Sequence, residues 1–287
     1  MRAVVAIVGV VLVLSGCGPR GTSRVAALPG SRVAVVVLEN HGPAAVLRHG
    51  WLARSARAGG RALEAIGEAH PAQPYFVMLT GDERPLSDAQ AVARPRKAAN
   101  LLGQLDRHHI AWRAYMGGMP GPCFGRRSGR DVVGRYAKRH DPFLFLASIA
   151  DHPADCRADV VPETRLRSDI ARGRITRFTW VSPDLCQDMH SCPVAAGQRW
   201  MAGTLPPLLR SLGPRGLLFV VADERSPAGS GGGRIPLVAL GGDVRPHSLD
   251  RVRVDHRAML ATIEDLLGLG RLRTVRDAPT LQPLLKR

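Results

Sequence analysis

From Arg32 to Leu38 the chain reads Arg-Val-Ala-Val-Val-Val-Leu, an unbroken apolar run rich in β-branched residues. A strand with one wet face alternates polar and apolar residues, so a run without alternation belongs to a strand covered on both faces. Such a strand needs helices on either side of its sheet, which is the α/β arrangement. The remaining sequence supplies the parts. Short apolar runs at Ala111–Tyr115, Arg177–Val181, Gly216–Val221 and Ile235–Leu240 read as further strands. Helical spacing is expected over Trp51–Glu68, Pro74–Thr80, Ala98–His109, Arg130–Arg139, Leu166–Arg172, Ala195–Leu212 and Arg257–Leu267. Strands separated by helices predict a central, mostly parallel β-sheet sandwiched between helices.

In open sheets of this kind, ligands bind beyond the carboxyl ends of the strands. Polar residues cluster at those ends here. The first strand runs into Glu39-Asn40-His41, and Arg177–Val181 into Ser182-Pro183-Asp184, with Asp188 and His190 close behind. Gly216–Val221 runs into Asp223-Glu224, and His256 opens the last helix. A carboxylate alone at a strand end is an ordinary solvated residue or helix cap. Several at equivalent ends, mixed with imidazole, suit a divalent ion such as zinc or manganese better than calcium. The glycine stretch Gly229–Gly233 reads as a surface loop, since it lacks the lysine and spacing of a phosphate-cradling P-loop.

The chain opens Met1-Arg2, continues apolar from Ala3 to Leu14, and then reads Ser15-Gly16-Cys17. A basic start, a short apolar stretch and small residues describe a signal peptide over residues 1–16. The stretch falls short of the ~20 residues a membrane-spanning helix needs. Leu14-Ser15-Gly16-Cys17 resembles a bacterial lipobox, in which Cys17 carries the lipid. The expected organisation is a lipidated Cys17 with a linker to Ser31 and one domain over residues 32–287. The protein is then exported and anchored on the outer side of the cytoplasmic membrane.

Setting Cys17 aside leaves Cys123, Cys156, Cys186 and Cys192, an even set suited to an oxidising compartment. Three pairings are open to four cysteines. Local spacing favours Cys186–Cys192 and Cys123–Cys156. A formal net charge of +16 favours anionic neighbours, whether lipid headgroups or phosphorylated molecules. Lys97, Lys138 and Lys286 are the only lysines, and the arginines are scattered, with no basic run interleaved with aromatics. Nucleic acid is therefore not an expected partner.

Several blocks, in order, resemble a bacterial phosphoesterase family that includes acid phosphatases and phospholipase C-like enzymes. They are Glu39-Asn40-His41, His70-Pro71-Ala72-Gln73-Pro74-Tyr75, Met119-Pro120-Gly121-Pro122-Cys123 and Tyr136–Phe143. Pro183–Cys192, Asp223-Glu224, Gly231–Pro236, and His256 with Thr262–Asp265 complete the series. The resemblance implies an alkaline-phosphatase-like fold and metal-assisted hydrolysis of phosphate esters. It places Glu39, Asn40, Asp223, Glu224 and His256 at metal positions, with Asp188 and His190 in a block that supplies others. It also exposes departures. The family's nucleophilic serine is replaced by Ala72, the asparagine that contacts phosphate by Tyr75, and a metal-binding histidine by Arg234.

Two readings follow. One is a metal-dependent phosphoesterase in which activated water replaces the serine and Arg234 clamps phosphate oxygens; its metal site has reduced occupancy if the missing histidine matters. The other is a catalytically dead, tethered protein that binds a phosphorylated or otherwise anionic ligand.

Overall fold

A computed structural model describes residues 24–67, 73–125, 131–225 and 233–286. Its strands are β1 (Val33–Leu38), β2 (Gly60–Ala65), β3 (Trp112–Met116), β4 (Val132–Val133) and β5 (Tyr136–Ala137). They continue with β6 (Val160–Pro162), β7 (Phe178–Ser182), β8 (Leu217–Ala222), β9 (Leu237–Gly241) and β10 (Ser248–Val254). Eight of them form one sheet in the order β10-β2-β9-β8-β1-β7-β3-β6, while β4 and β5 make a separate hairpin. β9 runs antiparallel to β8 and β2, and every other pairing in the large sheet is parallel.

The expectation for Arg32–Leu38 holds closely. β1 lies at the sheet's centre between β7 and β8, and each of its six residues is fully buried. At roughly 1.5–3 kcal/mol per buried aliphatic side chain, this strand alone anchors a large share of the core. The helix His256–Leu267 covers one face of the sheet and is buried apart from Arg257. Asp255 caps it by accepting the Ala258 N–H at 2.9 Å, and Gly268 ends it in a left-handed conformation at φ 75°. On the other face, Val194–Ser211 packs against Trp51–Ala58.

Two helical expectations are corrected. Trp51–Glu68 is a helix only to Ala58. After Gly59 the segment Gly60–Ala65 becomes β2, pairing with β9 and β10 although Arg-Ala-Leu-Glu-Ala favours a helix locally. Tertiary pairing outweighs propensity there. Of the expected helix Arg130–Arg139, the described residues 131–139 form no α-helix; Gly134, at φ 61°, turns β4 back onto β5, and a 3₁₀ turn over Lys138–His140 follows.

The packed domain also begins before Arg32. Val25 and Leu28 are buried, the Val25 N–H donates to Asp265 at 2.8 Å, and the Leu28 N–H to the Leu266 carbonyl at 2.9 Å. Arg271 grips both oxygens of Asp265, donating from Nη2 to Oδ2 at 2.6 Å and from Nε to Oδ1 at 3.0 Å. Cys17 and the apolar stretch before it lie outside the described residues. No helix among the described residues is long and apolar enough to cross a membrane. The favoured cysteine pairings are both present, Cys123 with Cys156 and Cys186 with Cys192.

Candidate metal and phosphate site

The parallel strands β1, β7 and β8 deliver their carboxyl ends to one edge of the sheet. Register alone places Leu38 beside Ala222, so Glu39 and Asp223 emerge next to each other. Asn40 bends the chain sharply at φ 51°, a left-handed conformation that asparagine tolerates better than most residues. Its N–H then donates to Asp223 Oδ1 at 3.0 Å. The Glu39 N–H donates to the Asp188 carbonyl at 3.0 Å, which ties the loop after β7 onto the end of β1.

His140 joins these strand ends. Its Nε2 lies 3.3 Å from Glu39 Oε1 and its Nδ1 lies 3.2 Å from Asp188 Oδ2. Its backbone is fixed from beneath, where Ser182 Oγ donates to the His140 carbonyl and Trp180 Nε1 donates to Ser182 Oγ, both at 2.9 Å. Tyr75 stacks on the His140 ring at 5.5 Å and 6°, and its hydroxyl donates a short hydrogen bond to Glu39 Oε1. His190 sits on the outer side with its ring 5.6 Å from His140; its N–H donates to Asp188 Oδ1 at 2.8 Å. Arg139 lies against His190 and also bonds Asp131.

Burial dominates the electrostatics. It pushes the Glu39 carboxyl well above the usual range, and the neighbouring Asp223 and Asp188 charges push it further. Asp223 rises to about 7 by burial, opposed by the Asn40 N–H, and Asp188 also rises to about 7 by burial. His140 falls to about 3, through burial and then the Arg139 charge. His190 is lowered by burial, His140 and Arg139. The His140 contacts are therefore hydrogen bonds to a neutral ring. A neutral imidazole donates from one nitrogen only, so Glu39 or Asp188 must carry a proton to satisfy the other.

These residues fit a divalent cation. Acidic groups forced together in a dry site favour a positive ion in place of protons. Ligand atoms of Glu39, His140 and His190 all lie within 4.8 Å of one another. Asn40 Oδ1 is a buried acceptor with no donor among the described residues, an orphan that an ion would satisfy. Neutral imidazole, carboxylate and amide oxygen together suit zinc or manganese.

The other expected residues are placed as follows. Glu224 follows Asp223 and is half-buried. His256 is fully buried and donates Nε2–H to the Ala222 carbonyl at 2.8 Å, so that nitrogen braces the β8 end beneath Asp223. Tyr75 is buried with its hydroxyl engaged by Glu39. Arg234 borders the site across Gly42, 60% exposed, with its guanidinium 2.7 Å from Glu64. Ala72 lies outside the described residues. The residues flanking that gap are Gly67, beside Asp223 and Glu224, and Gln73, which caps the Tyr75 helix by accepting the Phe76 N–H at 2.7 Å. His140 is the residue that sequence reasoning left out, although the Tyr136–Phe143 block contained it.

The chain is also similar to known proteins. A family model described as the Phosphoesterase family matches residues 11–270. A probable acid phosphatase of Kluyveromyces lactis is 25% identical over 218 residues, covering 70% of this chain and 50% of its own length. An acid phosphatase of Aspergillus fumigatus is 23% identical over 212 residues, covering 71% and 47% respectively. The chain thus spans about half the length of the curated relatives it matches. A solved protein of the alkaline phosphatase superfamily from Vibrio parahaemolyticus superposes with a TM-score of 0.60 at 12% identity, covering 93% of this chain and 72% of that one. The phosphonate monoester hydrolase of Agrobacterium radiobacter gives 0.54 at 14%, covering 89% and 77%. These structural likenesses establish an alkaline-phosphatase-like fold.

Proposed function

The chain belongs to the Phosphoesterase family, and from that membership we propose that it hydrolyses phosphate esters at the β1–β7–β8 edge with a bound divalent metal. The observation that carries this reading is the buried Glu39–His140–Asp188 cluster beside Asp223, with the orphan Asn40 Oδ1. Glu39, Asn40, Asp223, His140 and His190 would hold the ion, with Glu224 beside them. Once bound, the metal would polarise the phosphoryl oxygens and offset the charge that develops in the transition state.

The chain's own residues do the rest. Position 72 offers a methyl group where the family has a serine hydroxyl, so water is the remaining nucleophile. Its oxygen bonds phosphorus as the ester oxygen departs. The His140 ring, with Nε2 toward Glu39 and the ion, is held in place by Asp188 at Nδ1, and the proton released from the attacking water leaves to solvent. Arg234 supplies a fork for phosphate oxygens. Its surface pair with Glu64 is worth on the order of 1 kcal/mol or less, so a phosphate dianion can displace it. Tether and compartment follow the sequence: lipid on Cys17, outside the cytoplasmic membrane, with a phosphorylated small molecule or a lipid headgroup as substrate.

The Tyr75–Glu39 hydrogen bond and Ala72 support a second reading, a protein that binds its phosphorylated ligand without turnover. Metal analysis and hydrolysis of a generic aryl phosphate separate the two. The enzyme reading expects bound metal and wild-type turnover that is lost in Glu39→Ala and Asp223→Ala. Turnover confined to Ala72→Ser supports the binding protein, and absence of both metal and phosphate affinity defeats both.

A further inference from the structure

The edge of the sheet opposite the site is also chemically distinctive. The central strands are entered through arginines: Arg32 precedes β1, Arg177 precedes β7, and Arg215 stands one residue further ahead of β8. Register aligns Val33 with Phe178 and Leu217, so these arginines enter along one row. Across that row, β3 to β8 spans about 14 Å at ~4.8 Å per strand. The loops there add exposed Arg107, Arg172 and Arg174. Arg276 joins them, since its carbonyl accepts from Arg271, whose guanidinium also holds Asp265 against Val25.

Charge pairing differs between the two edges. At the site edge Arg139 pairs with Asp131, Arg135 with Asp184 and Arg234 with Glu64, while the exposed Arg225 pairs with no carboxylate among the described residues. At the opposite edge, Arg107, Arg172, Arg174 and Arg276 pair with no carboxylate among the described residues. Asp106 gives its carboxylate to Trp112 Nε1, and Asp243 faces Arg215. The described chain begins on this same edge. Arg24 and Val25 lie at Asp265, near the end of the His256–Leu267 helix farthest from the site, and the apolar stretch Ala3–Leu14 is joined there through residues 15–23.

We propose that this arginine-rich edge is a docking face for an anionic phospholipid bilayer, and that it holds the metal and phosphate site pointing away from the membrane. The start of the described chain, from which the proposed lipid anchor would extend, and these guanidinium groups lie on one side. Each arginine brought near an anionic surface strengthens attachment about five-fold, equivalent to about 1 kcal/mol. Strands of six residues at ~3.3 Å each hold the site about 20 Å further out. Phosphate esters in solution reach it, whereas headgroups of the same bilayer do not. The inference stands on the charge pattern and the point of attachment, independently of whether the site turns over.

The test uses the full chain reconstituted on vesicles of phosphatidylcholine alone or with added phosphatidylglycerol, read by amide hydrogen exchange. Exchange at residues 107–111, 172–177 and 273–278 should slow several-fold on the anionic vesicles only. It should recover at about 0.5 M salt, where the screening length shrinks to a few ångström. The variant Arg107→Glu/Arg174→Glu/Arg276→Glu should lose this protection while retaining the wild-type exchange pattern elsewhere. Equal exchange on both vesicles overturns the proposal, as does protection at residues 117–125 and 183–193 on the site edge. Circular dichroism of the variant checks that it folds. Should it not, the salt and lipid dependence of the wild type still decides.

Discussion

Removing the Tyr75 hydroxyl while keeping its ring probes how the metal site is assembled. In Tyr75→Phe the stack on His140 and the buried volume are preserved, so the change isolates the hydrogen bond to Glu39 Oε1. Glu39 is 2% exposed and has no water to replace the lost donor. With the ion bound Glu39 is a carboxylate, and a hydrogen bond to a charged group is worth about 1.5–3 kcal/mol, which corresponds to roughly 10- to 150-fold in an equilibrium constant. The hydroxyl also fixes which carboxylate lone pair faces His140, and outer partners of this kind typically set about 10- to 100-fold of metal affinity. Affinity for zinc or manganese should therefore fall by between one and two orders of magnitude. Calorimetric titration of metal-stripped protein measures it directly, and circular dichroism confirms the fold. Affinity unchanged within about two-fold would show that Tyr75 only fills space, and the assignment of Glu39 as a ligand oriented by its neighbours would be refuted.

Three further predictions address the scaffold. A Cβ at Gly117 would lie 2.0 Å from the Asp184 amide and 2.3 Å from the Pro183 carbonyl carbon, both backbone. Gly117→Ala should cost about 2 kcal/mol and weaken metal binding by displacing the loop after β7, so wild-type values for both in urea unfolding and titration would contradict it. The Cys123–Cys156 bond spans 33 residues, and the double serine variant should lose about 3–4 kcal/mol; a loss below about 1 kcal/mol would show that the unfolded chain is barely constrained. Glu264, fully buried, is pushed up to about 7 by burial, against the opposing Leu272 N–H. Its native pKa exceeds the unfolded value, so its stabilising contribution is present below about pH 4.5 and is lost as pH rises through about 7. Glu264→Gln should flatten the pH 5 to pH 8 stability difference by on the order of 3 kcal/mol, and an unaltered difference would refute the assignment.

The sequence was most legible where local and tertiary demands agree. Val33–Leu38 can be little other than a central strand, because six consecutive apolar residues, mostly β-branched, leave no face for solvent. β2 was hidden because Arg-Ala-Leu-Glu-Ala carries helix-forming residues, and its strand form depends on partners nearly two hundred residues away. The Gly59-Gly60 pair was the available signal. Strand ends carrying Glu39, Asn40 and Asp223 could be anticipated from the parallel topology, since such ends converge. His140 could not be found that way. It reaches the site from a 3₁₀ turn after the β4–β5 hairpin, and only the folded loop brings it between residues 39 and 188.

The Cys186–Cys192 bridge encloses both Asp188 and His190, the two polar side chains that the loop after β7 brings to His140. Closing so short a ring removes roughly 2 kcal/mol of chain freedom from the unclosed loop. In the reduced chain that freedom returns, and any ion must first organise the loop before it can bind. Oxidation thus favours loading: the ring gathers Asp188 and His190 before an ion arrives, and a reduced chain would bind the same ion about 30-fold more weakly.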